Sequence, residues 1–300
     1  MKPGCAICCG VMRSEHSLPG ELLGAKDVRV IAERIGIRPT KQLGQNFVID
    51  PNTIIRIVRA ADLRADDVVL EIGPGLGSLT LALLDQVQAV IAVEIDERLA
   101  DRLPETVREF APERSDRLIV RHVDAMTLPP LTPAPTALVA NLPYNVSVPV
   151  LLHVLVTMPT VERALVMVQR EVGERLAAAP GSKVYGVPSV KAQWFGEVRV
   201  VGSVPRSVFW PEPNVDSVLV RIDRHPEPHA VVGREAVFAT VDRAFGQRRK
   251  MLRSALVTPT HDKALIEQSL ASCGIPATAR GEDCSVQDFI CLADAMGTSS

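Results

Sequence analysis

Val68-Val69-Leu70-Glu71-Ile72-Gly73-Pro74-Gly75-Leu76-Gly77 decides the fold. An apolar run of strand length meets a glycine turn, and that turn opens a helical pattern. Glycines let a backbone turn sharply and approach a ligand closely. In an open α/β sheet ligands bind at the carboxyl ends of the strands, where this loop would lie. The spacing is G-x-G-x-G rather than the G-x-G-x-x-G of dinucleotide sites.

Outward from this loop, strand and helix patterns alternate. Strands are predicted at 67–72, 89–94, 118–122, 136–140 and 163–168, the pattern of a parallel sheet covered on both faces. Segments 193–201 and 216–222 also alternate and are joined by the Pro-rich loop Val204 to Pro213. They suit an antiparallel pair at the edge of a seven-stranded sheet. Upstream, Val28, Ile31, Ala32 and Ile35 recur at helical spacing behind a candidate cap at Asp27, and residues 52–61 read as a second helix. Beyond Arg224 the segment His225-Pro226-Glu227-Pro228 reads as a linker. Helical patterns follow at 233–246, 247–257, 261–273 and 285–296. The expected organisation is a flexible extension over 1–27, an α/β domain over 28–224 and a small all-helical domain over 225–300.

Three hundred residues with 47% hydrophobic content can bury a sizeable core. No apolar run approaches the ~20 residues of a membrane span, so a cytoplasmic protein with no membrane partner is expected. The net charge of -2 does not announce nucleic acid. Its distribution is more informative: Arg243, Arg248, Arg249, Lys250 and Arg253 lie close together with no acid between Arg243 and Arg253. A solvated helix face is the common fate of such a cluster, yet a local basic patch can steer a polyanion. On a helix, Arg249, Lys250 and Arg253 would share one side. Six cysteines crowd the two ends without regular spacing, so no disulfide framework is expected. Cys5, Cys8, Cys9 and His16 lack the second well-spaced pair of a tetrahedral zinc site, so free thiols and no metal are expected.

Candidate binding residues fall at strand ends. Glu94 ends the strand after the glycine loop, where a carboxylate can hold both ribose hydroxyls. Asp124 follows the third strand and can accept from an adenine amino group. The run Ala137 to Ala140 then leads into Asn141-Leu142-Pro143-Tyr144. Pro143 cannot donate to a ladder and ends that strand. The Asn141 side-chain oxygen and the Leu142 carbonyl could accept the hydrogens of a planar amino group while Tyr144 stacks on its ring. Glycine loop and acid suit any adenosine ligand, including a nicotinamide cofactor. A pyrophosphate ligand would favour the full G-x-G-x-x-G loop, and Asn141 to Tyr144 resembles the Asn-Pro-Pro-Tyr element of methyltransferases that modify base amino groups, a resemblance that implies S-adenosylmethionine.

Further segments strengthen this: Gln42 to Val48, Val93 to Asp96, Val168 to Val172, Pro180 to Gly186, Phe209 to Pro213, Val215 to Ser217 and Phe245 to Arg253. With them the chain resembles the ribosomal RNA adenine dimethyltransferases of the KsgA/RsmA family from about Val28 to Met296. The resemblance implies a Rossmann-like class I methyltransferase sheet. It implies that Asn46, Val48, Gly73, Gly75, Glu94, Asp124 and Asn141 bind S-adenosylmethionine. It implies that Asn141, Leu142, Pro143, Tyr144 and Phe209 hold the target adenine, with Tyr144 and Phe209 stacking on its two faces. Val48 stands where leucine is usual, and Trp210 where a small residue is. The implied substrate is 16S rRNA in a 30S subunit or precursor, dimethylated at N6 of two adjacent adenosines near its 3′ end by a monomer that takes no DNA. Two other readings stay open: a 23S rRNA adenine methyltransferase conferring macrolide resistance, and a non-catalytic RNA-binding assembly or transcription factor on the same fold.

Overall fold

The structure, a computed structural model, describes residues 21–38 and 46–297. Cys5, Cys8, Cys9, His16 and the motif residues Gln42 to Gln45 lie outside the described residues. The chain enters through helix α1 (Ala25–Arg34), a two-residue strand β1 (Phe47–Val48) and helix α2 (Pro51–Ala61). Asp27 is not the cap of α1. It sits one turn in, where its carboxylate accepts from the Gly24 N–H at 2.9 Å, so the helix starts three residues early. Leu23, assigned to the loose extension, is buried. Asp50 caps α2 by accepting from Thr53 N at 2.9 Å, and Pro51 supplies the preset first turn.

The sheet follows as β2 (Val68–Ile72), α3 (Ser78–Leu84), β3 (Ala89–Glu94), α4 (Glu97–Phe110), β4 (Leu118–His122), β5 (Ala137–Asn141), α5 (Ser147–Thr157), β6 (Arg163–Gln169), α6 (Arg170–Leu176), α7 (Val187–Gln193) and β7 (Gly196–Val204). The long β9 (Ser217–Arg224) completes it, while the two-residue β8 (Phe209–Trp210) pairs with β1 in a separate two-stranded sheet. The strand order is β4-β3-β2-β5-β6-β9-β7, with β9 antiparallel to both of its neighbours. This is a Rossmann-like, mostly parallel sheet with the expected antiparallel edge. β7 starts three residues later than predicted, because α7 runs on through Gln193 and Trp194 and Phe195 bury beneath it.

Strand periodicity divides the core in two. Val68, Leu70, Ile72, Leu138 and Ala140 face one apolar cluster, while Val69, Ala137 and Val139 face the other. The first cluster continues without a break into the carboxyl-terminal helices through Val237, Val241, Phe289 and Leu292. Those helices are α8 (Arg234–Gly246), α9 (Leu252–Ala255), α10 (Lys263–Ser272) and α11 (Val286–Gly297).

Two expectations fail in this region. The predicted helix over 247–257 shrinks to the single turn α9. Its first residues instead form a turn in which Lys250 N reaches Gln247 O, and Leu252 N bonds to Ala279 O. Long-range bonds have replaced the i to i−4 ladder. Cysteines are also not all free: Cys273 and Cys291 are bonded, because α10 ends beside α11 with 5.8 Å between their Cα atoms. Sequence spacing gave no sign of that proximity. Cys284 is free and buried, and burial pushes its thiol up to about 12.

The amino ends of β2, β5 and β6 are tied by one buried pair. Arg163 donates to both Asp67 oxygens at 2.8 and 2.7 Å, and Thr136 Oγ1 donates to Asp67 Oδ1 at 2.7 Å. Removing one member of such a pair leaves the other charge buried alone. Asp67→Ala is expected to lower stability by about 3–5 kcal/mol in urea unfolding. A loss below ~1 kcal/mol would mean that water replaces the pair without cost.

Candidate active site

β2 has β3 on one side and β5 on the other, so the chain reverses its direction of travel across the sheet between β2 and β5. The helices after these strands pack on opposite faces: α3 through Leu79, Leu81 and Leu83, α5 through Val150, Leu151 and Val154. A crevice opens at the carboxyl ends where helices diverge in this way. A cavity of about 320 Å³ lies there, lined among others by Val48, Gly73, Gly75, Glu94, Asn141 and Pro143.

The glycine loop is set by backbone geometry. Gly73 has φ +69° and donates to Val93 O at 2.9 Å, tying the loop to the end of β3. Gly75 has φ +58°, and a Cβ there would stand 2.8 Å from Phe47 Cε1. Any side chain would therefore collide with the Phe47 ring that packs over the loop. Phe47 is a site residue that sequence reading missed. It belongs to a two-residue strand pairing Phe47 with Trp210 and Val48 with Phe209, and so short a long-range pairing has no periodic signal.

Glu94 is 6% exposed and accepts three backbone N–H bonds, from Gly75 at 3.2 Å, Ile95 at 2.9 Å and Asp96 at 3.0 Å. Burial pushes its carboxyl above the usual range, and those three donors pull it back. Glu71 lies deeper in the same wall, with Thr80 Oγ1 donating to it at 2.7 Å. Burial raises it to about 8, and the nearby Glu94 adds to the rise. The motif contained Glu71, but nothing in the sequence marked it as a buried acid.

Asn141 Nδ2 donates to Asn46 O at 3.0 Å. A carbonyl can only accept, so this bond fixes the amide's orientation and leaves Oδ1 as the side chain's acceptor at the cavity wall. The Leu142 side chain belongs to the core, and its N–H donates to Met167 O at 3.2 Å. Tyr144 is half-buried, with its hydroxyl 2.8 Å from Ser217 Oγ. Burial holds its phenol above the ordinary value.

Two expected site residues are placed differently. Asp124 does not line the cavity: its Oδ1 accepts from Met126 N at 2.9 Å, capping the short 3-10 turn Ala125–Thr127. Phe209 is 3% exposed, in the apolar cluster that also holds Phe47, Val204 and Leu219. Its ring is spent on packing, because β8 is folded down against β1.

Comparison with known proteins agrees with this geometry. The family model for ribosomal RNA adenine dimethylase matches residues 37–296. The chain belongs to that family. Ribosomal RNA small subunit methyltransferase A of Streptomyces coelicolor is 59% identical over 278 residues, covering 92% of this chain and 97% of the relative. Its counterpart in Rhodococcus erythropolis is 59% identical over 277 residues, covering 91% and 93%. Among solved structures, the 23S rRNA methyltransferase ErmE superposes with a TM-score of 0.64 at 28% identity, covering 84% of this chain and 100% of that one. A dimethyladenosine transferase from Plasmodium falciparum gives 0.67 at 25% identity, covering 81% and 94%.

In this adenine dimethylase the basic stretch is not one uniform face. Arg248 is engaged within the fold: it donates to Lys183 O at 2.6 Å and to Glu282 Oε2 at 2.9 Å. Arg243, Arg249 and Lys250 are exposed, and Arg253 lies 3.9 Å from Glu267. Arg249 and Lys250 stand in a turn, so the shared helix side expected for them with Arg253 does not exist. Among the described residues no cluster of three or more His, Cys, Asp or Glu could hold a metal, and no helix is long and apolar enough to cross a membrane.

Glu71 carries a pH signature. The folded chain keeps its proton up to about 8, whereas the unfolded chain releases it near 4.5. Between those values the folded state binds the extra proton, so stability falls as pH rises through the window and levels off above it. Glu71→Gln removes this component. Urea midpoints of variant and wild type are expected to diverge in the variant's favour from about pH 5 to about pH 8. A constant gap would mean that Glu71 is ionised throughout.

Proposed function

We propose that this enzyme uses S-adenosylmethionine to dimethylate N6 of two adjacent adenosines near the 3′ end of 16S rRNA, within a 30S subunit or its precursor. It works in the cytoplasm as a monomer and takes no DNA. The observation that carries this reading is the fixed Asn141 amide, whose oxygen is an acceptor beside a cavity walled by Glu94 and a glycine loop. The small-subunit target rests on the relatives at 59% identity, against 28% for the 23S enzyme.

The residues present suit the methyl donor. Glu94 offers a buried carboxylate to the paired hydroxyls of a ribose. Gly73 and Gly75 bring bare backbone to the wall, and Val48, Ile54 and Leu99 supply apolar surface for a purine. Asn46 closes the same wall. The volume lies within the ~300–1,000 Å³ of small-ligand sites. Asp124 would reach the purine amino group only through the oxygen that does not cap its turn. When bound, the sulfonium donor supplies an electrophilic methyl group whose C–S bond breaks as the new N–C bond forms, its electron pair passing to sulfur.

The chain's own residues prepare the acceptor. An adenine amino lone pair is delocalised into the ring and is a weak nucleophile. Asn141 Oδ1 and the Leu142 carbonyl, held before Pro143, accept its two hydrogens and favour a pyramidal nitrogen as charge develops. That interaction strengthens towards the transition state. Tyr144 stacks on the unstacked base. Phe209 backs β1 and the loop from beneath, in place of the second stacking face. In-line displacement at a sulfonium needs positioning more than a strong base, so the proton leaves to water.

Primer extension on 16S and 23S rRNA from a strain lacking the protein tests the target. Loss of the stop near the 16S 3′ end is expected; loss on 23S, or on neither, would replace this reading. Asn141→Ala should abolish methyl incorporation with unfolding unchanged. Glu94→Ala should weaken donor binding by roughly 1.5–3 kcal/mol in calorimetry, the worth of a hydrogen bond to a charged group. Unchanged donor affinity would remove Glu94 from the site.

The exposed cations Arg243, Arg249 and Lys250, with Arg253, are proposed to contact phosphates, while Arg248 braces the fold. Arg249→Ala with Lys250→Ala should weaken binding to 30S precursor particles and flatten its salt dependence, because fewer counterions are released. Donor affinity should not change. An unaltered salt slope would make this turn an ordinary solvated surface.

A further inference from the structure

Ser217 is fully buried, and its Oγ lies 2.8 Å from the Tyr144 hydroxyl. It is the first residue of β9 and is paired on both sides, with Gln169 of β6 and Val204 of β7. Its neighbour Asp216 is fixed as well. The Asp216 carbonyl accepts from Arg170 N at 3.0 Å and its carboxylate from Arg206 N at 3.1 Å. Helix α6 presses on the next residue: a Cβ at Gly173 would come within 2.2 Å of Val218 Cγ2. Ser217 is therefore a rigid point. Tyr144 is not rigid by its own local structure. It sits in the turn between β5 and α5, where Val146 N bonds to Pro143 O at 3.2 Å and α5 has no side-chain cap.

We propose that Ser217 is the positioning residue for Tyr144, and that this hydroxyl pair matters chiefly for the second methyl transfer to each adenine. The inference rests on the reading above, in which Tyr144 stacks on the target base. Each transfer forms one N–C bond and breaks the donor's C–S bond, with the electron pair kept by sulfur and the displaced N–H proton released to water. Before the first transfer the amino group offers two N–H donors to two acceptors, Asn141 Oδ1 and the Leu142 carbonyl. After it, one N–H remains and a methyl group faces the other acceptor. Half of the hydrogen bonding that orients the nitrogen has gone. Stacking does not depend on the amino substituents, so the Tyr144 ring carries more of the alignment in the second step. A ring free to tilt then costs the second step more than the first.

The test is single-turnover methylation of unmodified small-subunit particles by wild type, Ser217→Ala, Tyr144→Phe and the double variant. N6-monomethyl- and N6,N6-dimethyladenosine are followed in time by mass spectrometry, beside donor calorimetry and thermal unfolding. Each single variant should lower the ratio of second to first rate about fivefold, the worth of one ordinary hydrogen bond. Monomethyladenosine should accumulate, donor affinity should hold, and the double variant should be no worse than either single. Equal slowing of both steps, a wild-type ratio, or single effects that multiply in the double variant would each overturn the proposal. If Ser217→Ala fails to fold, Tyr144→Phe removes the same bond from the other side and decides alone. No methylated adenosine from the wild type would refute the functional reading itself, and this inference with it; that result is seen before any variant is compared.

Discussion

The pairing of β2 with β5 is the constraint from which the rest follows. Leu70 lies opposite Leu138, and the strands run parallel although two other strands, β3 and β4, separate them in sequence. A parallel pair needs a crossover, and the crossovers on the two sides of this pair lie on opposite faces. The loops after β2 and β5 are thereby left facing each other with no helix between them. One loop is Gly73 to Gly77 and the other is Asn141 to Tyr144. At the opposite ends, Asp67 before β2 holds both Thr136 before β5 and Arg163 of β6, so a shift of register between β2 and β5 would have to break the Thr136–Asp67 bond beside a buried ion pair.

The site wall then combines two acids that differ in what surrounds them. Glu94 has three backbone donors and a face on the cavity, so it can serve as a charged acceptor. Glu71 has one hydroxyl donor and complete burial, and it stays protonated near neutral pH. Two carboxylates this close are tolerated because one is neutral, which spares Glu94 a like charge behind it.

Most of the sheet and the residues at its strand ends were legible in the sequence, because both are carried by local signals. Val68 to Ile72 and Ala137 to Asn141 are apolar runs, and Gly73, Pro143 and Glu94 sit at their ends. What was not legible depends on contacts between distant parts. Phe47 over Gly75, Phe209 against Val48, Ser217 beside Tyr144 and Arg248 on Glu282 each join residues far apart in the chain. None of them changes the local pattern that a periodicity reading can see. The helix predicted over 247–257 shows the same effect in reverse. Its residues have adequate helix propensity, and tertiary bonds from Arg248 and Leu252 override it.

Those long-range contacts also account for the burial of Phe209. In sequence Phe209 and Trp210 stand in a Pro-rich loop, where either core packing or stacking on a ligand is a fair reading. Pairing with β1 turns Phe209 inward and sets Trp210 6.4 Å from Phe47, ring centre to ring centre. Phe47 in turn covers Gly75. The Pro-rich loop, the two-residue strand and the glycine loop thus form one continuous packing path from Trp210 to the cavity wall. Phe209 at the far end of this path is buried, and its packing holds β1 and, through Phe47, the glycine loop in place.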